Sequence, residues 1–379
     1  MLLFPLVDRQ CYSLEATSKA AGGIDSAVMR IALRFFAILL VLATLLAPVV
    51  AQNATHFTSP LPTGVRLDPA GEAIESGSLP INLVIAPEGD RAIVVLSGWR
   101  EQGIQVVDLG ARRVTQTLTQ DAAFYGAVFA PDGSKLYVSG GNEDVIFVYS
   151  WSQGAATFER KIVLGQKTAE GTGSRYPAGL AISSKGEYLY VAENVGDRLA
   201  VVNTKTVEVA QRFPTDRYPY AVAASCGHVY VSAWGGSTLS QFEELPDGTL
   251  AYMGRIEVGR HPSALAVSAC AKNIYVALAG SDQVAVVDRD LRRVTSRLHD
   301  AAPGAPNEGS TPNALALIDG RLLIAEGHNN AVAVFEHGRL AGRIPTDWYP
   351  TAVAQAGDEL LVSPARGTAR TRTRMGLSR

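Results

Sequence analysis

The sequence predicts an all-β fold, a seven-bladed β-propeller, from three observations. A unit made of a proline or its substitute, a strand of small residues, a turn and a second strand occurs seven times, as in RYPAGLAISSKGEYLYVAEN at 175–194. The unit recurs at the length that four short strands and their turns require. Its apolar residues alternate or form short continuous runs, which indicates strands and not helices.

Each copy is anchored by one residue at the entry to its first strand. The anchors are Pro80, Phe124, Pro177, Pro219, Pro262, Pro312 and Pro350. Successive anchors are 44, 53, 42, 43, 50 and 38 residues apart. Spacing in this range predicts one propeller blade per copy.

Four strands, A to D, are expected in each copy. Strand A is the small-residue run after the anchor, strand B the Tyr-Val run, strand C a VAVVD-like run and strand D a charged alternating stretch such as RRVTSRL. Blades crowd together at the central axis, so strand A is expected there. Its small residues are Ala or Gly at 178, 179, 181, 221, 223, 224, 264, 266, 314, 316, 352 and 354.

The seventh copy has strands A and B but lacks C and D before the chain enters its tail. The segment 61–78, LPTGVRLDPAGEAIESGS, resembles a C–D pair. We therefore predict a ring closed by N-terminal strands that pair with the C-terminal blade, which leaves no free sheet edge. The propeller is assigned to 52–363.

The N-terminal region predicts export. Residues 29–51 contain two arginines, an apolar run and small residues before Ala51, the pattern of a secretory signal peptide cleaved after Ala51. The protein is then expected in the periplasm or outside the cell. The alternative is an uncleaved membrane anchor formed by 35–51. Residues 1–28 fit no targeting pattern and indicate a misassigned start.

The C-terminal residues 364–379 carry five arginines and no acidic residue. No strand pattern continues into them. We therefore predict a disordered basic tail.

Charge and cysteine content bound the partners and the compartment. The chain has 34 basic and 36 acidic side chains, a net charge of −2, which disfavours nucleic acid as a partner. Cys226 and Cys270 both follow strand A, in neighbouring copies, where equivalent turns lie on the same face. They predict a disulfide in an oxidising compartment. The alternative is two independent small residues.

The loops that enter strand A and leave strand B lie at the same end of a propeller, and they carry most of the unusual aromatic and ionisable residues. This predicted rim comprises Trp99, Arg100, Tyr125, Tyr176, Glu193, Asn194, Arg217, Tyr218, Trp234, Arg260, His261, Glu326, His328, Trp348 and Tyr349, with Asn313 beside them. Aromatic residues with arginine on a rigid scaffold favour a face that binds a ligand or partner. The alternative for any single member is a turn requirement, such as a flat residue that covers the proline.

Motifs of catalysis are missing from the sequence. It contains no GxSxG, HExxH, phosphate-binding loop or CxxC pair, and its six histidines are scattered. We therefore predict no catalytic residue, no metal ligand and no cofactor.

The YVA or YVS second strands and the VAVVD third strand resemble the YVTN-type β-propeller family of exported bacterial proteins, over about residues 60–363. LPTGVRLDPAG, LSGWREQGIQVVD (96–108) and GRIPTDWYPTAVA (342–354) resemble more closely the N-terminal propeller of two-part exported proteins. In those proteins a metal-dependent phosphoesterase of the alkaline phosphatase superfamily follows the ring. This chain ends where the linker is expected, so no metal ligand or nucleophile of that enzyme can be transferred to it.

Two functions stay open on the sequence. The first is an exported, non-catalytic scaffold that binds a protein or cell-envelope partner through one face, as an accessory module of a phosphoesterase-type protein. The second is a propeller enzyme of the lactonase-like or quinoprotein dehydrogenase-like type. Fold alone does not choose between them.

Overall fold

The computed structural model describes residues 69–167, 169, 173–267, 270, 272–301 and 309–365, together with the backbone of 373–374. They belong to one compact unit, Ser59–Arg379. The described residues form seven antiparallel sheets, six of four strands and one of three, so the predicted seven-bladed propeller is confirmed. The predicted signal peptide at 29–51 and the segment 1–28 lie outside the described residues and stay predictions.

The strands follow the chain from blade to blade. Blade one contains β1 (Pro80–Ile85), β2 (Arg91–Ser97), β3 (Gln102–Asp108) and β4 (Arg113–Thr119); blade two contains β5 (Ala127–Phe129), β6 (Lys135–Ser139), β7 (Val145–Ser152) and β8 (Ala155–Val163). Blade three contains β9 (Pro177–Ile182), β10 (Tyr188–Glu193), β11 (Arg198–Asn203) and β12 (Val209–Pro214); blade four contains β13 (Pro219–Ser225), β14 (His228–Ala233), β15 (Thr238–Glu244) and β16 (Leu250–Glu257). Blade five contains β17 (Pro262–Val267), β18 (Asn273–Leu278), β19 (Gln283–Asp288) and β20 (Arg293–His299); blade six contains β21 (Pro312–Ile318), β22 (Arg321–Glu326), β23 (Ala331–Glu336) and β24 (Arg339–Pro345). Blade seven contains β25 (Pro350–Ala356), β26 (Glu359–Pro364) and β27 (Thr373–Arg374).

The first strand of every blade lies at the central axis. Each of these strands contacts the first strand of the next blade, from β1 through β5, β9, β13, β17, β21 and β25, and β25 contacts β1. Small residues make this approach possible. A Cβ atom on Gly179 would overlap the Tyr220 carbonyl oxygen of the neighbouring blade, and one on Gly126 would overlap the Ala178 carbonyl oxygen.

The hydrophobic core is divided among the blade junctions. Successive residues of a strand face opposite sides of its sheet, so a buried blade packs against both neighbours. In blade four, for example, Val229 packs toward blade three while Tyr230 packs toward blade five. Seven buried clusters are formed by the described residues, one at each junction, including the junction of blades seven and one.

The ring closes around the start of the described chain. Ile74 packs with Leu361 of blade seven and Leu83 of blade one, and the Ala70 amide donates to Pro345 O at 3.0 Å. Over 69–78 the chain has one bridge residue and no regular strand, because its polar sequence lacks apolar alternation. The strand that pairs with β26 is β27, and residues 61–68 lie outside the described part.

The predicted disulfide between Cys226 and Cys270 is present, with a Cα–Cα distance of 5.2 Å. It connects the A–B turns of blades four and five, at the end of the ring opposite the loops that enter strand A. Among the described residues, no helix has both the length and the apolar character needed to cross a bilayer.

Candidate functional site

A cavity of about 520 Å³ occupies the end of the central channel at which the A strands begin. Six blades contribute residues from the start of strand A or the loop before it. Blade three contributes Asn194, which follows its strand B. The lining residues are Ile81, Phe124, Tyr125, Asn194, Tyr218, Tyr220, Trp234, Ser263, Ala279, Asn313, Tyr349 and Thr351. The described residues that line the opposite end of the channel are Ala, Val, Leu and Ile.

Six of the twelve residues that line the cavity are aromatic. The Tyr125 and Tyr220 rings lie 4.6 Å apart between centroids, and Phe124 meets Tyr220 edge-on at 5.9 Å. Tyr176 supports the wall from behind, with its ring 5.1 Å from Phe124. Burial raises the pKa of Tyr125 to about 12, and burial raises the pKa of Tyr220 as well. Both phenols are therefore neutral at physiological pH.

Polar side chains around the channel connect one blade to the next. Each donates to a backbone carbonyl at the entry of the following A strand. The bonds are Asn82 Nδ2 to Tyr125 O (2.7 Å), Asn194 Nδ2 to Pro219 O (2.9 Å), Ser232 Oγ to Ser263 O (2.8 Å), Ser263 Oγ to Pro312 O (3.2 Å), Asn313 Nδ2 to Pro350 O (3.0 Å) and Thr351 Oγ1 to Pro80 O (2.8 Å). The last of them joins blade seven to blade one.

The residue before each anchor proline has a positive φ. Such left-handed geometry is strained for a bulky side chain and persists only where neighbours enforce it. The residues concerned are Leu79, Tyr176, Tyr218, His261, Thr311 and Tyr349, with φ between 50° and 62°. A side chain of the preceding blade holds four of the amides: Asp144 accepts from Tyr176, Asp197 from Tyr218, Asp282 from Thr311 and Asn330 from Tyr349. The preceding blade thus fixes these residues, two of which, Tyr218 and Tyr349, line the cavity.

Glu193 and Glu326, predicted on the rim, do not line the cavity. Both are fully buried and pair with an arginine of their own blade: Arg212 Nε lies 3.0 Å from Glu193, and Arg343 Nε lies 2.8 Å from Glu326. Burial raises the pKa of Glu193, and the Arg212 charge opposes that rise. The predicted rim requires this correction because a buried carboxylate needs a charged partner, which strand D supplies.

The same arginines bridge to the preceding blade. Arg212 Nη2 donates to Leu164 O at 2.8 Å, and Arg343 Nη2 donates to Asp300 O at 2.6 Å. Arg255 of blade four makes the corresponding bond to Thr215 O at 2.7 Å. These glutamates and arginines therefore hold the ring together.

The other predicted rim residues divide into cavity walls, supports and exposed groups. Tyr125, Asn194, Tyr218, Trp234, Tyr349 and Asn313 line the cavity. His261 supports Trp234 with a ring distance of 4.8 Å, and His328 lies edge-on to Tyr349 at 5.3 Å. Trp99, Arg100, Arg217, Arg260 and Trp348 do not line it, and Trp99 is 98% exposed.

Sequence reasoning missed several cavity residues, most of them at one repeated position, directly after the anchor. Tyr125 and Asn313 were predicted there, but Ile81, Tyr220, Ser263 and Thr351 were not. Phe124 and Ala279 of the lining were also missed. A signal existed: in six of the seven copies the residue directly after the anchor lines the cavity, and these residues break the Ala-Gly pattern that Ala178 keeps in the remaining copy.

Comparison with known proteins supports the fold and leaves the activity open. A family model described as "Lactonase, 7-bladed beta-propeller" matches residues 126–226. Hydrazine synthase of Kuenenia stuttgartiensis is similar in structure, with 17% identity, a TM-score of 0.63, and coverage of 86% of this chain and 99% of that chain. Virginiamycin B lyase of Staphylococcus aureus is similar with 12% identity, a TM-score of 0.61, and coverage of 78% and 95%.

The WD40 repeats of RRP9 are similar at 12% identity, with a TM-score of 0.64 and coverage of 81% and 98%. No curated protein sequence matches this chain. At these identities the solved structures support the propeller fold alone. The family model and these three structures give no support to the predicted link with a phosphoesterase.

Proposed function

We propose that this protein is an exported, non-catalytic binding protein that takes a small organic ligand into the aromatic cavity at the channel mouth. The observation that carries the proposal is the convergence of seven blades on one cavity of about 520 Å³, walled by six aromatic side chains. Ligand cavities of about 300–1,000 Å³ with apolar walls and a few polar groups are typical of small-molecule sites.

The chemistry of the lining supports binding over catalysis. Its described members include no carboxylate, imidazole or thiol. The Tyr125 phenol, with a pKa of about 12, cannot serve as a base at neutral pH. Glu193 and Glu326, the two carboxylates predicted on the rim, are held in ion pairs with Arg212 and Arg343.

Location and partners form a second part of the proposal. The Cys226–Cys270 disulfide supports an oxidising compartment outside the cytoplasm. The exposed Trp99 and Trp234 suit a protein or cell-envelope partner on the same face as the cavity. An accessory role beside a phosphoesterase rests on the sequence motifs alone.

A lactonase-type or lyase-type activity is the second candidate. The family match at 126–226 and the similarity to virginiamycin B lyase favour it. Purified protein that opens a lactone substrate, with or without an added divalent metal, would support this candidate. The binding proposal expects no turnover above that of a Tyr220→Ala variant.

Ligand-observed NMR with a small fragment library tests the binding proposal. Fragments that bind the wild-type protein should lose binding in Tyr220→Ala and in Trp234→Leu. The matched control is Tyr252→Leu, an exposed tyrosine on the outer strand β16. Failure of every fragment to bind, or equal binding to all variants, would refute the proposal.

A further inference from the structure

The polar atoms of the cavity are unequally available to a ligand. Asn194 Nδ2 and Asn313 Nδ2 both donate to backbone carbonyls of the next blade. A carbonyl partner requires the NH₂ end of each amide, which fixes the amide orientation. Among the described residues no donor bonds either Oδ1 atom. Each amide therefore offers the cavity its Oδ1 atom as an acceptor, and one of its two N–H donors is already bound.

The two aliphatic hydroxyl groups of the lining, those of Ser263 and Thr351, are committed in the same way. Ser263 Oγ donates to Pro312 O (3.2 Å) or Ala277 O (3.4 Å), and Thr351 Oγ1 donates to Pro80 O or Ser363 O, both at 2.8 Å. A hydroxyl has one proton to donate and two lone pairs that accept. What these groups leave for a ligand is again oxygen lone pairs.

The aromatic walls add electron-rich surfaces to these acceptors. The face of an aromatic ring attracts a cation through its quadrupole, most strongly for Trp and Tyr. One such contact already exists at the mouth, where Arg217 Cζ lies 5.5 Å from the Tyr218 ring centroid. Tyr125 and Tyr220 keep their protons, so the wall attracts a cation through its rings and oxygen atoms and not through a formal charge.

From these observations, and resting on the proposed function, we infer that the ligand of the cavity is an organic ammonium cation. An anion would be matched by a lysine or arginine side chain, and the described lining contains neither. Ca²⁺ or Mg²⁺ would need carboxylates, which the described lining does not contain. A quaternary or alkylated ammonium group has diffuse charge and little hydration, so aromatic faces and amide oxygens suit it.

A pair of isosteric probes separates this inference from general apolar binding. Choline and 3,3-dimethyl-1-butanol have nearly the same shape, and only choline carries a positive charge. Each has one sharp methyl resonance, so ligand-observed NMR titration of the full chain measures both on the same scale. Choline is expected to bind at least about fivefold more tightly than the alcohol.

The variants Trp234→Leu and Tyr349→Leu keep apolar contact and remove the ring quadrupole. Each should weaken choline binding severalfold while leaving the alcohol nearly unchanged. Tyr252→Leu on the outer strand is the matched control and should change neither probe. Far-UV circular dichroism of each variant establishes that the ring is folded.

The outcomes distinguish the inference from the function on which it rests. Equal or tighter binding of the alcohol, sensitive to Trp234→Leu, would overturn the cation and keep the cavity as a binding site. Binding of neutral fragments with no binding of choline would do the same. Failure of both probes and of every fragment would overturn the proposed function as well.

Discussion

A buried carboxylate at the junction of blades five and six gives the sharpest prediction about stability. Asp300 is fully buried, and no described residue donates a hydrogen bond of normal geometry to either of its carboxylate oxygens. Burial and the nearby Glu326 charge raise the pKa of Asp300 from 3.8 to about 7, and Ser310 offsets only part of that rise. Arg343, which could neutralise it, pairs with Glu326 and reaches only the Asp300 carbonyl.

The sign of the effect follows from proton linkage. Between about pH 4 and pH 7 the folded protein keeps the Asp300 proton that the unfolded chain has lost, so stability falls as pH rises through this window. At about 1.4 kcal/mol for each unit, the full loss is about 4 kcal/mol above pH 7. Roughly half of it is expected between pH 5 and pH 8.

Asp300→Asn removes this titration while keeping the side-chain shape. Urea denaturation of the wild type and the variant at pH 5 and pH 8 should show a pH-dependent loss of about 2–3 kcal/mol in the wild type that the variant lacks. The control is Asp121→Asn, an exposed carboxylate whose pKa is lowered by Lys161 and whose contribution has the opposite sign. The same pH slope in Asp300→Asn and wild type would refute the reasoning.

Three further predictions concern the ring. Thr351→Val removes the hydroxyl that lies 2.8 Å from both Pro80 O of blade one and Ser363 O of blade seven, and should lower the free energy of unfolding by about 1–3 kcal/mol in urea denaturation. Arg212→Met leaves Glu193 buried without its partner and should lower the free energy of unfolding by about 3–5 kcal/mol. Arg255→Met removes the bond to Thr215 O and should lower it by about 1 kcal/mol. Equal losses in the two variants would contradict the role of the ion pair. Cys226→Ser should lower stability by about 2–4 kcal/mol without changing ligand binding at the opposite end, and non-reducing mass spectrometry that finds both wild-type thiols free would contradict the disulfide.

The blade pattern could be predicted from the sequence because each of its signals is local. The proline anchors and the Tyr-Val strands repeat within a single blade, and six of the seven anchors open a strand in the structure. The Cys226–Cys270 pairing was readable for a related reason, since equivalent positions of adjacent blades are neighbours by symmetry. The irregular segment 69–78 was less readable, because its contact with blade seven depends on one apolar residue, Ile74.

The residues of the site could be predicted only in part from the sequence. Aromatic residues before the anchors, such as Tyr218 and Tyr349, stood out because they are unusual, and they do line the cavity. Glu193 and Glu326 stood out equally and are buried ion-pair partners, because their arginines lie on strand D, 19 and 17 residues later in the sequence. Tyr220 was hidden inside a strand that was assigned by its small residues.

The sequence alone determined the number of blades, the strand that lies at the axis and the end of the ring to which each loop belongs. These properties follow from periodicity, which one chain displays in full. The tertiary structure decided which side chains meet. Six blades bring residues at the start of strand A or in the loop before it to one channel, and blade three brings Asn194. Arginines on strand D pair with two glutamates that do not reach the channel. Convergence depends on distances between blades, and the charge pairing depends on distances between the strands of one blade. A linear pattern contains neither.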